Sequence, residues 1–167
     1  MNNIVVKSNG ILSFQGKDYR CALGRGGILL NKREGDGATP IGSFAIRKLY
    51  YRPDRFEQAP QTALPSQALA IDDGWSDDIN LPEYNTYVKL PYAGSHEKLW
   101  REDEVYDLII PLGYNDDQPV AGLGSAIFMH IARPTYSPTD GCIALAKDDL
   151  LELLSLVSPD TQVAITE

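Results

Sequence analysis

Apolar and polar residues alternate in short runs interrupted by Gly, Asn and Pro, and this period of two commits most of the chain to β-strands, whose successive side chains point to opposite faces. Such runs cover Asn3 to Lys7, Ile11 to Phe14, Tyr19 to Leu23, Gly27 to Leu30 and Ser43 to Leu49, so the N-terminal third is expected to form a β-meander. Asn9-Gly10 and Gly24-Arg25-Gly26-Gly27 supply residues that tolerate the positive φ of hairpin turns. Strand character returns from Asp107 to Leu112, more strongly from Ser125 to Ala132, and again from Ile143 to Leu145. One stretch has a helical period. Lys147 to Val157 places Leu150, Leu151, Leu153, Leu154 and Val157 on one face, with Asp148 and Asp149 near the positive end of the helix. Ser158-Pro159 closes it, and Gln162 to Ile165 alternates as a last strand. Between Arg52 and Glu104 the pattern gives way to a polar, proline-punctuated region longer than an ordinary connection. It reads either as a surface loop held by Trp75, Tyr84, Tyr87 and Trp100 or as a segment that shapes a site or lid. No repeat or linker divides the chain, so a single domain over residues 1–167 is expected.

The 167 residues, 43% hydrophobic and 23% charged, suffice for one packed core. Fifteen basic against 23 acidic side chains leave a net charge of −8, with no Lys/Arg cluster to follow a phosphate backbone, which excludes nucleic acid as partner. No apolar run approaches the roughly 18 residues of a bilayer span, and the longest, Ser125 to Ala132, already contains His130. Ile4, Val5 and Val6 run at once into Lys7 and Ser8, which is not a signal-peptide pattern. The expected location is therefore the cytoplasm, the alternative being the periplasm or envelope if a leader precedes Met1. Cys21 and Cys142 are too few for a disulfide scaffold and suit a reducing compartment as free thiols, Cys21 as a core residue of its strand. No oligomeric state follows from the sequence.

Few side chains can carry chemistry. His96 and His130 lie in separate segments and no HExxH or CxxC spacing occurs, so no zinc site is expected. Asp72, Asp73, Asp77 and Asp78 lack the alternating ligand spacing of a calcium loop and read as a solvated turn. Gly122-Leu123-Gly124 leads into a strand, offering no helix N-terminus to an anion, and Ser125 lacks the GxSxG elbow of a serine hydrolase. His130 differs. Alternation puts Ile127, Met129 and Ile131 on one strand face and Phe128 with His130 on the other, so a rigid element holds the imidazole. Beyond a loop carrying Pro134 and Pro138 comes Thr139-Asp140-Gly141-Cys142, opening another short strand. Adjacent strand ends can bring the two together, where the imidazole would generate a thiolate from a thiol otherwise mostly protonated at neutral pH. Gly141 lets a substrate carbonyl approach backbone N–H donors. Spacing alone favours the other reading, a small buried core thiol and a hydrogen-bonded structural imidazole, because single Cys and His residues are often structural.

His130, then Thr139-Asp140-Gly141-Cys142-Ile143, resembles the signature of the L,D-transpeptidase catalytic domain, the YkuD-like family. Lys32 to Gly42 is similar to that family's Thr-Pro-x-Gly segment, and Tyr84-Asn85, Leu99-Trp100-Arg101, Tyr114-Asn115 and Gly122 to His130 resemble one subgroup. The resemblance implies a mainly β fold of mixed sheets, sandwich- or barrel-like, with minor helical insertions besides the C-terminal helix. It implies an acyl-enzyme cycle on peptidoglycan stem peptides or muropeptides, with no cofactor: Cys142 as nucleophile, His130 as base, Gly141 and Cys142 as oxyanion donors. Substrate-binding candidates are Thr139, Asp140, Tyr114 and Asn115. Cys142-Ile-Ala-Leu145 stands where relatives carry Cys-Ile-Arg, so another cation must meet the substrate carboxylate; Arg133 and Arg101 are the candidates, with Arg33 behind them. In a cytosolic setting water is the available acceptor, and the expected reaction is an L,D-carboxypeptidase trimming terminal D-alanine from tetrapeptide fragments in murein recycling. An exported L,D-transpeptidase and a non-catalytic stem-peptide-binding module are the alternatives.

Overall fold

A computed structural model describes residues 2–167. The chain begins as expected: β1 (Asn3–Lys7), β2 (Ile11–Phe14) and β3 (Lys17–Ala22) form a meander, with Gly10 turning at φ +80°. The Gly24 to Gly27 run also turns, the Gly27 N–H donating to Gly24 O, but it joins no hairpin. It leads instead to β4 (Ile28–Leu29), which pairs in parallel with β5 (Thr39–Pro40) as a separate two-stranded sheet. The meander expectation fails there.

Ser43 to Leu49 is two strands, β6 (Gly42–Ala45) and β7 (Leu49–Tyr51), broken around Ile46. After them come β8 (Ser66–Ala68), β9 (Asp73–Ser76), β10 (Tyr87–Lys89), β11 (His96–Lys98), β12 (Leu108–Pro111), β13 (Phe128–Ile131), β14 (Ile143–Leu145), the helix α1 (Lys147–Leu156) and β15 (Gln162–Thr166). The large sheet has the order β6-β15-β1-β2-β3-β14-β13-β12-β7-β8. Its consecutive strands β6 and β7 thus have partners at opposite ends, and the chain passes between them by an Ile46–Leu112 bridge, flanked by Arg47 N–H to Pro111 O and Gly113 N–H to Ala45 O. The sheet curls on itself, which is the barrel-like form expected, and that change of partner is why the strand breaks.

Two apolar clusters line the curled sheet's faces. The larger includes Ile127, Met129 and Ile131 with Leu150, Leu153 and Leu154 of α1; the smaller includes Phe128, Ile109, Tyr106 and Cys142. The alternation along β13 therefore sorts its side chains as the sequence requires. Helix α1 buries its leucine face against the sheet, each full burial contributing about 1.5–3 kcal/mol. Asp148 and Asp149 sit in its first turn, and it ends where Val157 turns extended before Ser158-Pro159. It is the only helix among the described residues, so the minor helical insertions are corrected to turns and short strands: residues 52–104 carry β8 and a three-stranded sheet of order β10-β9-β11. Asp73 is buried in β9 and accepts hydrogen bonds from Tyr87 OH, Lys89 Nζ and Ala70 N, so the acidic run is not a solvated turn.

Candidate active site

Strands β13 and β14 run parallel, with Met129 opposite Ile143 and His130 opposite Ala144. Continuing that register sets Cys142 beside Phe128, and period two then places His130 and Cys142 diagonally on one face. Both line a cleft of about 470 Å³, together with Tyr106, Glu97 and Asp77. Cys142 Sγ donates to Ala126 O at 3.2 Å and accepts from Phe128 N at 3.4 Å. His130 Nδ1 lies 2.9 Å from Ile131 O. A carbonyl only accepts, so Nδ1 carries the proton and Nε2 keeps its lone pair. The Tyr106 ring meets the imidazole edge-on, centroids 5.3 Å apart, and Phe128 packs against Trp75 and Tyr106 behind it.

Burial sets the protonation states. It pushes the Cys142 thiol up to about 12, with the Glu97 carboxylate adding to the rise. It pulls His130 down to about 4, Arg133 and Arg101 adding like charge. The resting pair is thus neutral thiol and neutral imidazole, a nucleophile and base that exchange a proton only as a bond forms.

Thr39, within the upstream Thr-Pro segment, ties the two sequence motifs together: its Oγ1 donates to Gly141 O and accepts from Gly24 N, both at 2.9 Å. Gly141 has φ +133°, and a Cβ there would lie 2.7 Å from Ala38 O, so only glycine fits. Without substrate the Gly141 N–H donates to Thr139 Oγ1 at 3.1 Å. Thr139 Oγ1 in turn donates to Cys142 O at 2.7 Å.

Arg101, Arg133, Thr139 and Asp140 line the cleft as expected. Arg101 is engaged by Asp103 at 2.9 and 2.6 Å, whereas Arg133 reaches that carboxylate only at 3.9 Å and remains more exposed. Arg33 is exposed and outside the cleft. Tyr114 and Asn115 do not line it either. Tyr114 OH donates to Leu123 O at 2.6 Å, and Asn115 Nδ2 donates to Gly124 O at 2.9 Å and Val120 O at 3.1 Å, so both shape the loop before β13. Sequence reasoning missed Arg25, paired with Asp140 at 3.1 Å, and the carboxyl groups of Glu97, Asp77 and Glu34. For Glu34 the signal lay in the Lys32 to Gly42 motif; Glu97 and Asp77 carried none.

Asn85 is the keystone of that loop. Buried at 4% exposure, it accepts from Ala126 N and Trp75 Nε1, both at 3.0 Å, and donates to the carbonyls of Tyr114 at 3.1 Å and Asn115 at 2.7 Å. Ala126, held at φ +54°, is the residue whose carbonyl receives the thiol. Asn85→Ala leaves two donors and two acceptors without this partner, at about 1–3 kcal/mol for each buried group unsatisfied. The expected outcome is a loss of several kcal/mol in denaturant unfolding and a fall in kcat larger than the rise in KM. A variant with unchanged unfolding midpoint would refute the assignment.

A curled β-sheet that brings a buried thiol and a lone-pair-bearing imidazole to one cleft defines a thiol–imidazole class of domain. The family model of the L,D-transpeptidase catalytic domain (YkuD) matches residues 4–165, and the chain belongs to that family. Among solved structures it is similar to Mycobacterium tuberculosis L,D-transpeptidase 1, at 13% identity and TM-score 0.46, covering 99% of this chain and 58% of that one. An L,D-transpeptidase from Mycobacterium smegmatis gives 13% identity and TM-score 0.45, covering 99% and 58%. The helical cell shape determining protein Pgp2 from Campylobacter jejuni gives 13% identity and TM-score 0.46, covering 99% and 47%. The chain thus spans about half the length of these structures. No curated protein matches it. Among the described residues no group of three His, Cys, Asp or Glu is placed to hold a metal ion, and no helix is long and apolar enough to cross a membrane.

Proposed function

We propose that the chain is a cysteine-dependent acyl transferase acting at the L,D peptide bond of peptidoglycan stem peptides, and that it is an L,D-carboxypeptidase releasing terminal D-alanine from tetrapeptide fragments. The observation that carries this reading is the shared cleft of Cys142 and His130 in a chain of this family. Sγ attacks the carbonyl of the third residue while its proton passes to His130 Nε2, and the backbone N–H of Cys142 receives the developing oxyanion. Collapse breaks the C–N bond, the imidazolium protonates the departing amine, and D-alanine leaves. Water, deprotonated by the same imidazole, then hydrolyses the thioester. Arg133, which Asp103 holds less closely than it holds Arg101, receives the D-alanine carboxylate.

Water as acceptor is part of this proposal and makes the reaction a hydrolysis. It goes with a soluble muropeptide as substrate, with murein recycling as the process and with the cytoplasm as the place of reaction. Incubation with disaccharide-tetrapeptide, with and without an added D-amino acid, tests the reading by mass spectrometry. Loss of alanine in both samples is expected. Exchange of alanine for the added amino acid would make the chain a transpeptidase, and an unchanged substrate would make it a binding module.

A further inference from the structure

Two carboxyl groups in the cleft take no part in the steps above. Strands β9 and β11 are antiparallel, with Glu97 opposite Trp75, and just beyond β9 Asp77 N donates to Ser95 O. Period two therefore sets Glu97 and Asp77 diagonally on one face of this strand pair, a diagonal that long side chains span, and both line the cleft with Cys142. Glu97 Oε1 accepts from Tyr106 OH at 3.1 Å. Its other oxygen, Oε2, is buried with no hydrogen-bond partner, and so is Asp77 Oδ1. Two carboxylates buried side by side forfeit hydration and repel, whereas one proton placed between them turns one oxygen into a donor for the other. Arg101 does not relieve them, because two hydrogen bonds direct its guanidinium to Asp103.

We propose that Glu97 Oε2 and Asp77 Oδ1 share one proton, and that Glu97 is thereby a positioning residue of the reaction, acting through Cys142: while the pair keeps its proton, the thiolate forms beside one negative charge fewer. The inference joins the stem-peptide reading at the nucleophile, but the proton itself follows from the cleft alone. When the pair loses that proton to water, the Glu97 carboxylate opposes ionisation of the thiol. Burial raises the Glu97 carboxyl to about 7; the Tyr106 hydroxyl and Arg101 pull it down, and the like charges of Asp77 and Asp140 push it up. The other groups facing it are silent in that range, since His130 titrates near 4, Cys142 near 12 and Tyr106 well above its ordinary value. Reactivity of the thiol therefore weakens, relative to a protein without the Glu97 charge, as pH rises through about 7.

The test compares wild type with Glu97→Gln, which is close in shape and neutral at every pH. Alkylation by iodoacetamide, an uncharged reagent, is read at Cys142 by peptide mass spectrometry. The two proteins are expected to react alike at about pH 5.5, and the variant at least about threefold faster at about pH 8.5, the effect of one nearby charge in a partly hydrated cleft. Cys21, buried in the other apolar cluster, is expected to react equally in both, which reports an unchanged fold. Asp77→Asn, measured on its own, is a second arm: it removes a like charge, so the bend in the wild-type rate profile near pH 7 is expected to move to lower pH. A ratio of variant to wild type that does not change with pH, or a bend that Asp77→Asn leaves in place, overturns the shared proton. The same ratio is expected in kcat/KM for D-alanine release from disaccharide-tetrapeptide. Release by neither protein, with the alkylation ratio still following pH, overturns the stem-peptide reading and upholds the shared proton.

Discussion

Cys142→Ala is expected to remove at least about 10³-fold of the D-alanine-releasing activity, because no other side chain in the cleft supplies a sulfur to form the thioester. The fold should survive. Sγ is a small part of the second apolar cluster, and the groups it bonds, Ala126 O and Phe128 N, are fixed by Asn85 and by strand β13. Acid-quenched wild-type enzyme examined by intact mass is expected to carry the tripeptide as an acyl adduct, and the alanine variant to carry none. Turnover by Cys142→Ala within tenfold of the wild type would remove the nucleophile from the mechanism, whatever the rest of the cleft does.

The second large effect concerns His130. The buried imidazole titrates near 4 in the fold against an ordinary 6.5, so the unfolded chain takes up this proton first as pH falls. Its contribution to stability is present above about pH 6.5 and is lost as pH drops through about 4, a change on the order of 3 kcal/mol. Glu97 works with the opposite sign: its carboxyl is raised from 4.5 to about 7, so its contribution is full below the unfolded value and fades as pH rises toward 7. The two partly cancel in wild-type protein, and a difference measurement separates them. Urea midpoints of wild type and His130→Gln between pH 4 and 8 are expected to converge toward the acid end, with the wild type losing stability the variant does not. Parallel curves would show that the imidazole is not buried in neutral form. At neutral pH the same variant should lose about 10²–10⁴-fold in kcat, the usual range for a general base.

Local patterning announced much of this molecule. The alternation of Ile127, Met129 and Ile131 against Phe128 and His130 is a property of strand geometry, so it foretold which side chains share a face before any partner strand was known. The leucine spacing of α1 and the Asn9-Gly10 turn were legible for the same reason. Thr139-Asp140-Gly141-Cys142 was legible by its resemblance to a family motif, and the structure supplies the physical reason for its glycine: φ +133° and a close approach to Ala38 O leave no room for a side chain before the thiol.

Non-local pairing decided the rest. Gly42 to Tyr51 alternates almost continuously, yet its halves bond to β15 and to β12, and nothing within the segment indicates that change of partner. Asp73 and Asp77 stand in an acidic run that looks hydrated in one dimension; β10 and β11 cover it from elsewhere in the chain, burying the first in hydrogen bonds and leaving the second with a bare oxygen in the cleft. Tyr114 and Asn115 sit in a recognisable motif, but whether a motif residue faces substrate or braces a loop depends on where residues 84–85 and 122–126 fold back. The sequence by itself determined the β character and the terminal helix, because these follow from side-chain period, and its resemblance to a known family named the candidate thiol–imidazole couple, which spacing alone did not. Tertiary structure alone decided the curl of the sheet, the neutral state of that couple and the unpartnered carboxyl groups beside it, because burial and hydrogen bonding are set by segments distant along the chain.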